Sequence, residues 1–297
     1  GNTALGIDVF AALTSGDNNS ALGHLALSAN TTGANNTAIG KAACALNIDD
    51  SDNTAVGYAA NYPDGGSNNT AIGSLALNAN TGSSNTAVGK SAMEGCTTGE
   101  YNTAVGELAM DAASMTGNFN SALGRAALGK NTTGSSNCAI GINALGGNTT
   151  GGNNCAMGDS AADAITTGVN NIAIGSSALG AATTSSSNTV VGHAAGNVIT
   201  TGHSNVMIGE NVGLASTTGS ENTYIGRYAG RHQTTMTVGN RNNVMGAYSA
   251  PSIHNGNDQI VLGNDVKGIG NQTMTVGVSA NTASLALDGS DTSWAAA

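Results

Sequence analysis

The chain has 297 residues, of which 44 are Gly and nine are Phe, Trp or Tyr, with 18 acidic against 8 basic residues and a formal net charge of −10. So few large side chains exclude a conventional globular core, scattered basic residues exclude a nucleic-acid surface, and no run of about 18 apolar residues exists to span a bilayer. The four cysteines, Cys44, Cys96, Cys138 and Cys155, show no CxxC spacing or accompanying His, which argues against zinc. Cys138 and Cys155 replace the block Thr in adjacent repeats and read as small substitutes for it, a disulfide between them being the geometrically awkward alternative.

From the first residues onward one block repeats, exemplified by Asn36-Thr37-Ala38-Ile39-Gly40. Its closing glycine recurs at Gly6, Gly23, Gly40, Gly57, Gly73, Gly89, Gly106, Gly124, Gly141, Gly158, Gly175, Gly192, Gly209 and Gly226, in steps of 16 to 18 residues. In each block Asn stands four before the glycine and Leu, Ile, Val or Met directly before it. Such a period predicts an all-β, parallel β-solenoid, or β-roll, of about 14 coils, each unable to bury its apolar face without neighbours. The run Thr-Ala-Ile predicts a short strand whose side chains alternate between two faces. The aliphatic before the glycine (Leu5, Leu22, Ile39, Val56, Ile72) is expected to fill the lumen. Ala21, Ala38, Ala55, Ala71, Ala87, Ala104, Ala122, Ala139, Ala156 and Ala173 then point outward, as a close-packed column between sister chains.

A second strand is expected after each glycine, as in Lys41-Ala42-Ala43-Cys44, with Ala or Val three past the glycine and often Leu, Met or Phe next. Polar turns follow, such as Thr31-Thr32-Gly33 and Thr132-Thr133-Gly134, where Gly and Asn suit positive φ. The repeated Asn is expected to stack on itself from coil to coil. At about 4.8 Å per coil, fourteen coils predict a rod on the order of 65 Å long.

The block Asn36-Thr37-Ala38-Ile39-Gly40-Lys41-Ala42-Ala43 resembles the Asn-Ser-Val-Ala-Ile-Gly head repeat of trimeric autotransporter adhesins. It is closer still to the Asn-Thr-Ala-Ile-Gly / Thr-Thr-Gly repeat of bacteriophage tail fibres. The likeness spans roughly residues 1 to 230. It implies a left-handed parallel β-roll in a homotrimer, sited in a virion tail fibre or on a cell surface, and it carries no catalytic residue, cofactor or metal. The period is longer than the adhesin head's, and no coiled-coil stalk or anchor barrel is present in the sequence.

Beyond Gly226 the rhythm loosens, dividing a shaft at 1–230 from a cap or tip at 231–297. Asp258-Gln259-Ile260-Val261-Leu262-Gly263-Asn264 is similar to the stretch that closes phage-fibre shafts ahead of a self-cleaving chaperone domain, whose release is one reading of the end at Trp294-Ala295-Ala296-Ala297. Met274-Thr275-Val276-Gly277 and Ser284-Leu285-Ala286-Leu287 alternate like ordinary strands. Tyr228, Arg231, Arg241 and Tyr248 are the candidates for receptor contact. Asp49, Asp50 and Asp52 lie in one turn without calcium-loop spacing, and His24, His193, His203, His232 and His254 are scattered singly. The favoured function is a non-enzymatic trimeric fibre that joins other fibre or tail components and contacts a cell-surface glycan or protein receptor. An ice-binding solenoid and a polysaccharide-degrading tailspike are the alternatives, the latter needing paired carboxylates in an aromatic cleft.

Overall fold

The computed structural model describes residues 1–231, 239–252, 256–287 and 295–296. The chain divides into two compact units, residues 1–152 and 153–297. Each is a parallel β-solenoid, and no helix occurs among the described residues.

The first unit has nine strands of three residues: β1 (Thr3–Leu5), β2 (Ser20–Leu22), β3 (Thr37–Ile39), β4 (Thr54–Val56), β5 (Thr70–Ile72), β6 (Thr86–Val88), β7 (Thr103–Val105), β8 (Ser121–Leu123) and β9 (Cys138–Ile140). Each pairs in parallel with the next, in the register set by the repeat: Thr37 faces Thr54, Ala38 faces Ala55 and Ile39 faces Val56. The second unit continues the pattern with β10 (Cys155–Met157), β11 (Ile172–Ile174), β12 (Thr189–Val191), β13 (Val206–Ile208), β14 (Thr223–Ile225), β15 (Asn243–Met245) and β16 (Ile260–Asn264). Coils therefore run on past Gly226, where the sequence rhythm loosens. Then β17 (Thr273–Val278) pairs in parallel with β16 and turns back into antiparallel β18 (Asn281–Ala286), against which β19 (Ala295–Ala296) also lies antiparallel.

There is one strand per coil, not two. After the glycine the backbone alternates: Leu25 (φ 63) and Leu27 (φ 49) are left-handed, as are Ala42 and Cys44, Leu75 and Leu77, and their equivalents. The alternation turns successive N–H groups in opposite directions along the stack. Leu25 N–H donates to Ile7 O of the preceding coil (3.0 Å), whereas Leu27 N–H donates to Ala43 O of the following coil (3.1 Å). Inter-coil bonding thus persists where no strand exists. A left-handed residue with a Cβ costs roughly 1–2 kcal/mol, offset by satisfying backbone groups that would otherwise be buried unpaired.

Two glycine columns set the spacing. Gly40 has φ +133, and a Cβ there would run into the carbonyl oxygen of Gly57. Gly33 of the Thr-Thr-Gly corner is there for a different reason from the positive φ anticipated. Its Cβ would collide with Asp50 O of the next coil.

The Asn column is a hydrogen-bonded ladder in both units. Asn36 N–H donates to Asn19 Oδ1 (2.9 Å), and Asn53, Asn69, Asn85 and Asn102 repeat the bond upward at 2.9 Å each. The amide nitrogen bridges to the next corner, as in Asn19 Nδ2 to Gly33 O (2.8 Å). In the second unit Asn188, Asn205, Asn222 and Asn242 continue it, and Gln259 N–H closes on Asn242 Oδ1 (3.2 Å). Asn is needed because one side chain must both accept and donate, and each bond contributes about 1 kcal/mol net.

Candidate functional site

The two strand faces are the reverse of the sequence-based expectation. Ala38, Ala55, Ala71, Ala87, Ala104, Ala139, Ala156 and Ala173 are wholly buried, and Ala21 and Ala122 nearly so, inside a single chain. They line the lumen together with the Ala three past each glycine and the larger residue after it, such as Ala26 and Leu27 or Ala92 and Met93. No sister chain is needed to cover them. The reason is volume: a lumen closed by one strand and a tightly turned segment has room for alanine opposite leucine, not for two branched side chains.

The aliphatic before the glycine therefore points outward, next to the block Thr. Leu22, Ile39, Ile72 and Leu123 are 46%, 40%, 41% and 51% exposed in the first unit. Met157, Ile174, Ile208 and Met245 occupy the same column in the second unit, also exposed. At its C-terminal end this face widens into an apolar cleft of about 440 Å³ lined by Leu262, Met274, Val276 and Ala283. Thr37, Thr54, Thr70, Thr86 and Thr103 stand beside the aliphatics, one per coil.

Of the four residues predicted for receptor contact, three come together. Tyr228 and Tyr248 lie two past their glycines and stack at 5.3 Å between ring centroids. Arg231 packs over Tyr228 at 4.9 Å. Arg241 stands apart, in a bidentate pair with Asp258 (2.6 and 3.0 Å) that holds the Asp258 carboxyl below its usual range. Arg227, a third arginine of the same stretch, joins them: its guanidinium sits 4.9 Å from the Tyr228 ring centre, donates to Tyr248 Oη (3.0 Å) and pairs with Glu210 (3.1 Å). The repeat register accounts for its ion pair, because Glu210 and Arg227 both directly follow a block glycine and so sit one above the other. A second exposed stack, Tyr101 on Phe119 at 5.3 Å, lies in the first unit.

The acidic turn is rearranged. Asp49, Asp50 and Asp64, rather than Asp52, bring carboxylate oxygens within 4.8 Å of one another. Asp50 accepts from Gly66 N–H (2.9 Å) and Asp64 from Ile48 N–H (2.9 Å), so both tie adjacent coils. Burial first, and the Asp64 and Asp49 charges with it, push the Asp50 carboxyl upward. Asp52 accepts instead from Asn35 Nδ2 (3.1 Å). His232 and His254 lie outside the described residues.

Cys44 and Cys96 are buried in the lumen, where desolvation pushes their thiols from an ordinary 9.0 to about 12 and about 11. Since the folded values are raised, the stability these neutral thiols contribute is fully present below pH 9.0 and is lost as pH rises through about 11 to about 12. In native protein at pH 8, N-ethylmaleimide is expected to leave both unlabelled and to modify both in guanidinium. Rapid labelling of either in the native state would contradict the lumen placement.

No family model matches the chain, and the comparisons with curated proteins and with solved structures likewise find no match. Among the described residues no helix is long and apolar enough to cross a membrane.

Proposed function

We propose that the chain is the shaft of a homotrimeric fibre, of the phage tail-fibre or bacterial surface-adhesin kind, whose copies meet along the outward Thr–aliphatic face. The observation that carries this reading is the column of outward aliphatics, one per coil in each unit, exposed at Leu22, Ile39, Ile72 and Leu123 and half-buried at Val56, Val88, Val105 and Ile140. A contiguous apolar stripe left in water marks an interface, and a repeated surface favours identical partners in a closed ring. Three copies, rather than two, is what the resemblance to fibre repeats implies. The cluster of exposed Arg227, Arg231 and Tyr248 around the half-buried Tyr228 is offered as a surface for a cell-surface glycan or protein, since aromatic and Arg side chains anchor recognition.

Native mass spectrometry tests the assembly. The wild-type chain is expected at three times its 28.8 kDa mass. Val88→Arg, on the outward face of β6, is expected to give a monomer with unchanged far-UV circular dichroism. A wild-type monomer at tens of micromolar would overturn the fibre reading. One observation favours a second use of the same face: Thr37, Thr54, Thr70, Thr86 and Thr103 form a regular outward column, as an ice-binding surface requires. Thermal hysteresis from a monomeric chain would select it.

A further inference from the structure

The column two past each glycine faces outward, and its occupants set the relief of that flank. In the first unit it reads Leu25, Ala42, Ala59, Leu75, so two small residues in successive coils lie between two large ones. The result is a cleft of about 390 Å³. Ala42 and Ala59 form its floor and are only 7% and 6% exposed, whereas Ala126 at the same column position is half-buried. Lys41 and Tyr58 line one side, Tyr62 and Asn78 the other.

We propose that this cleft is a subsite for a hexuronate, a pyranoside ring bearing a carboxylate. Its volume is at the small end of the range for ligand sites, about 300–1,000 Å³, and suits one sugar ring. Tyr58 and Tyr62 are 53% and 36% exposed and are two of only six tyrosines in the chain. They offer apolar ring faces to sugar C–H groups and phenol hydroxyls to sugar oxygens. Asn78 is held in place by its Nδ2–H bond to Ala59 O (3.1 Å). Lys41 is the one charged residue lining the cleft, its ammonium 6.0 Å from the Tyr58 ring centre. That single cation, with no carboxylate in the lining, selects an acidic sugar over a neutral one.

The inference deepens the glycan-contact reading but does not share its oligomeric premise, because every lining residue belongs to one chain and lies off the strand face. A monomer that binds would keep this proposal and lose the fibre; a trimer that fails to bind would do the reverse. The test is isothermal titration calorimetry with methyl α-D-glucopyranosiduronate and with methyl α-D-glucopyranoside, which differ at C6. The acidic glycoside is expected to bind more tightly. Ala59→Leu is expected to weaken it at least ~tenfold by filling the cleft, without unfolding, because Leu25, Leu75 and Leu108 hold the same column position at φ of 63, 63 and 58 against 50 for Ala59. Lys41→Met is expected to cost about threefold for the acidic glycoside alone, the scale of an exposed ion pair. Equal binding of the two glycosides, no binding of either, or full binding by Ala59→Leu would each overturn the proposal.

Discussion

Ala104→Arg is expected to leave no cooperatively folded first unit, whereas Val88→Arg keeps the fold. Ala104 is wholly buried in the lumen between Ala87 and Ala122, its neighbours in register on β6 and β8. An Arg there would place an unpaired charge among alanines, a loss of about 3–5 kcal/mol or more, and would overfill a space sized for one methyl group. Against a typical domain stability of about 5–15 kcal/mol, that is decisive. Val88 is half-buried on the opposite face of β6, where a long cationic side chain can reach water. Far-UV circular dichroism and a thermal melt on both variants check the pair. The opposite outcome, with Ala104→Arg folded and Val88→Arg not, would restore the alanine column to the outer surface.

A large effect that can be reversed is expected at Met207 and Gly213. In the second unit the strand's lumen residue grows from Ala173 to Val190, Met207 and Tyr224, all buried. Over the same coils the residue four past the glycine shrinks from Leu179 to Gly196, Gly213 and Gly230. The exchange is steric: a Cβ on Gly213 would run into Met207 Sδ, and one on Gly230 into the Tyr224 ring. Met207→Ala alone opens a cavity costing about 2–5 kcal/mol, and Gly213→Leu alone overpacks by about 1–3 kcal/mol. The double variant rebuilds the Ala–Leu pairing of Ala173 and Leu179, where Leu179 tolerates φ 54. It is therefore expected to recover most of both losses, a coupling of about 2–3 kcal/mol by denaturant titration. Additive losses would show that the two positions do not share one space.

These pairs show what the sequence made legible and what it did not. Period, strand position, register and the Asn ladder followed from Asn36-Thr37-Ala38-Ile39-Gly40 alone, because a hydrogen-bonded stack forces equivalent residues above one another. The assignment of faces did not follow. Hydrophobicity favours Ile39 inside over Ala38, and only the width of the lumen reverses that choice. That width depends on the left-handed Ala42 and Cys44, which propensity scales disfavour and which displace the expected second strand. The aromatic cluster was partly visible in Tyr228 and Tyr248; Arg227 needed the register to bring it over Glu210. The cleft at Ala42 and Ala59 was written in one column, but its depth required knowing that this column faces out.

The glycine columns bear on how such a chain can change length. Gly40 against Gly57 O and Gly33 against Asp50 O leave no slack between neighbouring turns, so a stray residue gained or lost must be absorbed at a corner, as at Gly65-Gly66. A duplication or excision of one complete period instead presents each remaining turn with a neighbour in the same backbone register. The chain can therefore be lengthened or shortened in whole coils, and the surfaces it displays shift with them in fixed steps.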